Sequence, residues 1–147
     1  MQNRKFFLRQ ECCIEVFRGT TMTPKLTNVL FCDSVVPLPE HKLALYGVFT
    51  DVFAPSFPFT CPHFNVVNQW SKGEGFHIQV VKLLNPSKSL IISQSPEQYF
   101  TLEDVTETAY VKTEVNQVVF TEPGTYYFQV FLDQKFISEF GLHLRER

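Results

Sequence analysis

From Met22 to the C-terminus, apolar side chains return at every second position, and no stretch holds the 3.6-residue spacing of an amphipathic helix. Phe76, Ile78 and Val80, alternating with His77 and Gln79, show the pattern most plainly. A chain built this way has to bury one side of each extended segment, so it is committed to sheets. The runs at 26–33, 42–53, 63–70, 76–85, 89–93 and 110–120 read as strands, and a hairpin about Asp133, Gln134 and Lys135 closes the sequence. "SVVPLPEH" (34–41) reads as a proline-marked turn, and 42–53 as one long strand. Both faces of that long strand are apolar, which predicts a central strand covered on each side. Residues 97–109 read either as a short strand about Tyr99 and Phe100 or as one helical turn near Thr101 and Asp104. Eight or nine strands at a spacing of about 8–12 residues predict an all-β, two-layer antiparallel β-sandwich.

The 147 residues are enough for one domain with a substantial core, and a hydrophobic share of 44% against 19% charged is globular. The net charge of −2 argues against nucleic acid as a partner, since phosphate-reading surfaces carry a basic excess. No apolar run approaches the roughly 20 residues of a membrane-spanning helix, so no membrane partner is expected. Four cysteines, Cys12, Cys13, Cys32 and Cys61, show no Cys-x-x-Cys spacing. They read as incidental thiols of a cytoplasmic protein. Residues 1–21 carry four basic and two acidic groups and stand apart from the rest of the chain, which has an acidic excess. They read as an extension or as the product of a mis-assigned start, with residues 22–147 forming a single β-sandwich domain.

"EPGTYYFQV" (122–130) refines the architecture. Pro123 and Gly124 supply a turn, and Tyr126 stands where immunoglobulin-like sandwiches place a corner tyrosine at the start of the penultimate strand. Phe128 falls where antibody domains have a cysteine, so the expected fold lacks an inter-sheet disulfide. Trp70 is the candidate buried tryptophan. "NVLFCDSV" (28–35), "LALYGVFTDVFAPSFPF" (43–59) and "PGTYYFQV" (123–130) together resemble a family of small uncharacterised bacterial β-sandwich proteins. That resemblance implies the sandwich and carries no activity, substrate or catalytic residue with it.

"GVFTDVFAPSFPFTCPHF" (47–64) holds five phenylalanines and three prolines in eighteen residues. Pro55, Pro58 and Pro62 each remove a backbone donor and bias the preceding residue to extended conformations. The segment therefore suits an arch between the two layers, with Phe53, Phe57, Phe59 and Phe64 filling the gap. The same features describe a rigid aromatic surface, so Phe57, Pro58 and Phe59 form the candidate partner-binding patch.

Chemistry is thinly signalled. Cys61 and His63, two apart on an extended segment, would face the same way, and His77 on a neighbouring strand could join them as weak candidate metal ligands or as a thiol and its base. Cys61 lies among apolar residues, where a cysteine serves more often as a small hydrophobe, so the expectation is no metal and no cofactor. Asp51 interrupts an apolar run and reads as a charge that protects a sheet edge. No phosphate-binding loop, nucleophile elbow, zinc-protease helix or calcium loop occurs. The expected function is a non-catalytic interaction or ligand-binding module with a protein partner or a second copy of itself. The alternatives are an enzyme built on Asp51, Cys61, His63 and His77, or a structural component of a larger bacterial assembly.

Overall fold

The computed structural model describes residues 22–147; the expectation for residues 1–21 lies outside the described residues. Three strands, β1 (Lys25–Cys32), β5 (Phe59–Ser71) and β9 (Thr108–Phe120), form an antiparallel sheet in the order β1–β5–β9. The facing sheet runs from β4 (Asp51–Ala54) through β11 (Lys135–Glu146) and β10 (Gly124–Leu132) to β6 (Gly75–Leu84). β7 (Ile91–Gln94) and β8 (Gln98–Leu102) share the outer edge of β6. A separate hairpin, β2 (Ser34–Leu38) and β3 (Lys42–Tyr46), completes the chain. The result is an all-β, immunoglobulin-like sandwich with free cysteines and no disulfide among the described residues.

Aromatic rings span the space between the sheets. Phe64 of β5 meets Phe128 of β10 edge-on at 6.1 Å, and Phe31 of β1 tilts against the same ring at 5.0 Å. Phe128 thus fills the position where antibody domains carry a disulfide sulfur. Trp70 is fully buried and stacks on Phe100. Each such side chain contributes about 1.5–3 kcal/mol of burial.

Several local expectations are corrected. "SVVPL" is a strand rather than a turn, because Val35, Val36 and Leu38 pair with β3 and the reversal comes later, at Pro39, Glu40 and His41. The long run 42–53 is two strands, broken at Gly47. Gly47 adopts φ +67°, and a Cβ there would lie 2.2 Å from the Asp33 carboxylate. Glycine takes this positive φ without strain and leaves room for the Asp33 carboxylate. β3 is therefore not central: among the described residues it pairs with β2 alone. Of the two readings of 97–109, the strand about Tyr99 and Phe100 holds, over 98–102, and Phe53, expected to fill the gap between the layers, is exposed. One pair also departs from the antiparallel rule, since β4 runs parallel to β11.

The aromatic segment does carry the chain from one sheet to the other. β4 belongs to the larger sheet and β5 to the smaller, with Pro55–Pro58 between them. At Pro62 the inward face of β5 changes phase: Cys61 is buried, and the next buried core residues are Phe64 and Val66. Across from it on β9, Gln117 takes φ +53° and the buried set shifts from Val118 and Phe120 to Val115, Thr113 and Val111. Two facing irregularities keep the register while both strands turn over.

Candidate functional site

The structure separates the residues that sequence reasoning grouped. Phe57 and Phe59 are half-buried and pack against the core cluster that contains Phe31, Phe64 and Phe128. Pro58 between them is exposed. Cys61 points inward while His63 is exposed, which corrects the expectation that they share a face; the phase change at Pro62 parts them. Burial pushes the Cys61 thiol up, and the negative charge of Asp33 adds to this against a lowering contact with the His63 amide. A thiol so placed is a poor nucleophile.

His63 Nδ1 lies 2.6 Å from Asn116 Oδ1, and its Nε2 lies 3.3 Å from Asn65 Nδ2. The first contact needs the ring to donate and the second needs it to accept, so the neutral Nδ1–H tautomer satisfies both. Asn65 Nδ2 also donates to Asp33 O at 3.1 Å. His77 belongs to a different part of the molecule. Its Nδ1 is 2.7 Å from Asp133 Oδ2 and its Nε2 is 2.7 Å from Glu74 O, which ties the β5–β6 turn to the β10–β11 turn. Asp51 sits on the edge strand β4 and accepts from Arg145 Nε at 2.8 Å. That hydrogen bond holds the Asp51 carboxyl below the usual carboxylate range. Four side chains with four separate sets of partners do not compose one site. Among the described residues no three His, Cys, Asp or Glu side chains cluster as metal ligands would.

What the structure does build is a groove. The β2–β3 hairpin folds back over the outer face of the three-stranded sheet, and this covers Asn65 and Val67, so β5 is buried on both faces from Phe64 to Asn68. The hairpin does not seal the face. An open groove of about 850 Å³ remains between Val35, Pro37 and Leu43 of the hairpin and Thr108, Tyr110 and Lys112 of β9. A second, of about 480 Å³, runs over Leu30 and Val67 beneath Leu43 and Leu45. The two share Leu38, His41, Lys42, Leu43 and Tyr110 in their lining. The smaller is lined by Leu30, Leu43, Leu45 and Val67, while the larger mixes Val35, Pro37 and Leu43 with Thr101, Glu107, Thr108 and Lys112 around the half-exposed Tyr110. Lys42 pairs with Glu40 at 3.6 Å and Lys112 with Glu114 at 3.2 Å.

Sequence reasoning missed this groove because it read 34–41 as a turn. The signal available was the two-sided apolarity of the run 42–53, which asked for a cover on each face. The hairpin uses one of those faces against the sheet.

No helix of the described residues is long and apolar enough to cross a membrane. Residues 28–145 match the profile of a family of unknown function, DUF6941, and the chain belongs to that family. No curated protein matches the chain. Among solved structures it is similar to an immunoglobulin-like protein from Pseudomonas aeruginosa, at 17% identity over 86% of this chain and 100% of that one, with a TM-score of 0.42. It is also similar to part of a β-glucosidase from Listeria innocua, at 13% identity, 80% of this chain, 16% of that chain and a TM-score of 0.46. A third similarity is to the Pseudomonas fluorescens alkylpurine DNA glycosylase AlkC, at 8% identity, 80% of this chain, 30% of that chain and a TM-score of 0.43.

Proposed function

We propose that this chain is a non-catalytic binding module that takes an elongated, mostly apolar ligand in the groove beneath the β2–β3 hairpin. The observation that carries this reading is the groove itself. The smaller groove, of about 480 Å³, is aliphatic at Leu30, Leu43 and Val67, and the larger, of about 850 Å³, sets Val35, Pro37 and Tyr110 beside polar Thr108 and Lys112. Each volume lies within the roughly 300–1,000 Å³ common for small-molecule sites. The other candidate surface, Phe57–Pro58–Phe59, supports binding less well, because both of its rings pack against the core. A cytoplasmic setting fits the two buried free thiols, Cys32 and Cys61.

The test is a titration followed by amide chemical shifts, with decanoate and indole as probes. Saturable shifts confined to Leu30, Leu43, Val67 and Tyr110, and lost in Tyr110→Ala, are the expected result. Shifts that do not saturate, or that centre on Phe57 and Phe59, overturn the reading.

A further inference from the structure

The β3 strand presents an unusual combination. It carries Leu43 and Leu45 on one face and Ala44 between Lys42 and Tyr46 on the other, and among the described residues it is paired on one edge only. We propose that two copies of this chain associate through the other edge, β3 to β3, antiparallel about Ala44. This goes beyond the groove reading and does not depend on it.

The backbone phase makes the pairing available. Pro37 stands opposite Leu43 in the hairpin and has no N–H to give. The ladder loses nothing only where Pro37 and Leu43 form a non-hydrogen-bonded pair, with the proline nitrogen turned to the outer edge of β2. The alternation then directs the amides and carbonyls of Lys42, Ala44 and Tyr46 toward β2. The same alternation turns those of Leu43 and Leu45 toward the free edge of β3. At the base of the hairpin the ladder is irregular, with the Asp33 amide reaching both Tyr46 O at 2.9 Å and Gly47 O at 3.2 Å. The two edges of the hairpin therefore differ. Proline blunts the edge of β2, one of the standard defences of an exposed strand, while that of β3 carries open donors and acceptors at Leu43 and Leu45.

The sequence of β3 is complementary to itself in this register. A two-fold axis at Ala44 sets Leu43 opposite Leu45 of the second copy, and Leu45 opposite its Leu43. Both are hydrogen-bonded pairs, so four backbone bonds form. Ala44 meets its own copy in a non-hydrogen-bonded pair, where side chains approach most closely and a methyl group fits. Lys42 comes opposite Tyr46, which is more than half exposed, within reach of a cation–π contact. The pairing makes β3 an inner strand of a four-stranded ribbon and closes its open edge.

The experiment measures mass in solution by light scattering and sedimentation. The chain is expected to shift from 17.1 kDa to twice that value at concentrations on the order of 100 µM. Ala44→Glu and Ala44→Lys put like charges on the axis, and each is expected to weaken association at least tenfold. Mixing the two variants should restore a mixed dimer, and that recovery also shows that both fold. A wild-type chain that stays monomeric throughout overturns the proposal. So does a dimer that Ala44→Glu leaves intact, which would place the contact elsewhere. The groove titration reads separately, because Tyr110→Ala leaves the β3 edge untouched.

Discussion

The Tyr126 hydroxyl donates to Glu122 O at 2.8 Å and accepts from Glu122 N at 3.2 Å, closing the turn that feeds β10 back onto itself. The ring below it is fully buried and meets Phe120 edge-on at 4.8 Å. One side chain thus plugs the end of the core and fixes the β9–β10 corner. Tyr126→Phe keeps the plug and removes both hydrogen bonds. It is expected to lower stability by about 1–2 kcal/mol, read as a lower urea midpoint at unchanged slope. A change below a few tenths would mean that the corner is held by Pro123 and Gly124 alone.

Gln79 is the centre of a polar chain through an otherwise apolar core. Its Oε1 accepts from Asn68 Nδ2 at 2.9 Å and from Trp70 Nε1 at 2.6 Å, and its Nε2 donates to Gln98 Oε1 at 3.0 Å. Gln98 in turn receives Thr113 Oγ1 and donates to Lys112 O. The chain joins β5 and β9 of one sheet to β6 and β8 of the other, and so sets their register. Gln79→Leu fills similar volume but strands two buried donors, those of Asn68 and Trp70. The expected cost is about 2–4 kcal/mol by chemical denaturation, well above that of Tyr126→Phe.

These two features show what the sequence made legible and what it did not. The tyrosine corner was readable because its parts are contiguous: a Pro-Gly turn, then Tyr126, then alternation. The core tryptophan was readable from its type and its place on a strand. The Gln79 network was not, because its members lie on four strands and each looks like an ordinary polar residue in an alternating run. The groove and the break at Gly47 escaped for a related reason. A run such as "KLALYGVFTDVF" alternates without interruption whether it is one strand or two, and the interruption depends on how closely Asp33 approaches. Local pattern specifies strands; contacts between distant segments decide which strands end where.

Asp133 links stability to pH. It opens the two-residue β10–β11 turn at φ +49°, with Gln134 at φ +71°, and its carboxylate accepts from the Ile78 amide at 2.9 Å as well as contacting His77. Partial burial pushes the carboxyl up. The hydrogen bonds from His77 and Ile78, with the attraction of His77 and Lys135, outweigh this and leave it below the usual carboxylate range. A depressed folded-state pKa contributes stability above the unfolded value and loses it as pH falls through the folded one. Asp133→Asn suits the same positive φ and removes only the charge. The variant should be less stable than the parent at about pH 5, with the difference shrinking below about pH 4. A difference that does not shrink at all as pH falls below the ordinary carboxylate range would assign the effect to the turn instead of the carboxylate.

The thiols should be silent in the native state. Burial raises Cys32, with the negative charge of Asp33 adding to it, as burial raises Cys61. The thiolate is the reacting species, so both should label at least about tenfold more slowly in the native protein than in denaturant. Mass spectrometry of the peptides containing each residue makes the comparison. Rapid native labelling of Cys61 would reopen the reading of this residue as a nucleophile beside His63.

Gly47→Ala tests whether the hairpin is held at its base. The substitution forces alanine to φ +67°, a conformation that costs an L-residue about 1–2 kcal/mol, and sets its methyl group against Asp33. The Asp33 amide bonds to Tyr46 O and Gly47 O depend on that close approach. The variant should lose about 2–3 kcal/mol, with faster amide exchange across β3 than across β5. Adding Asp33→Ala removes the steric conflict and leaves the backbone cost. The double variant should therefore recover part of the loss, a coupling that independent sites would not show. If the two changes simply add, Asp33 and Gly47 do not act together, and the position of the hairpin is set by its apolar contacts with the sheet.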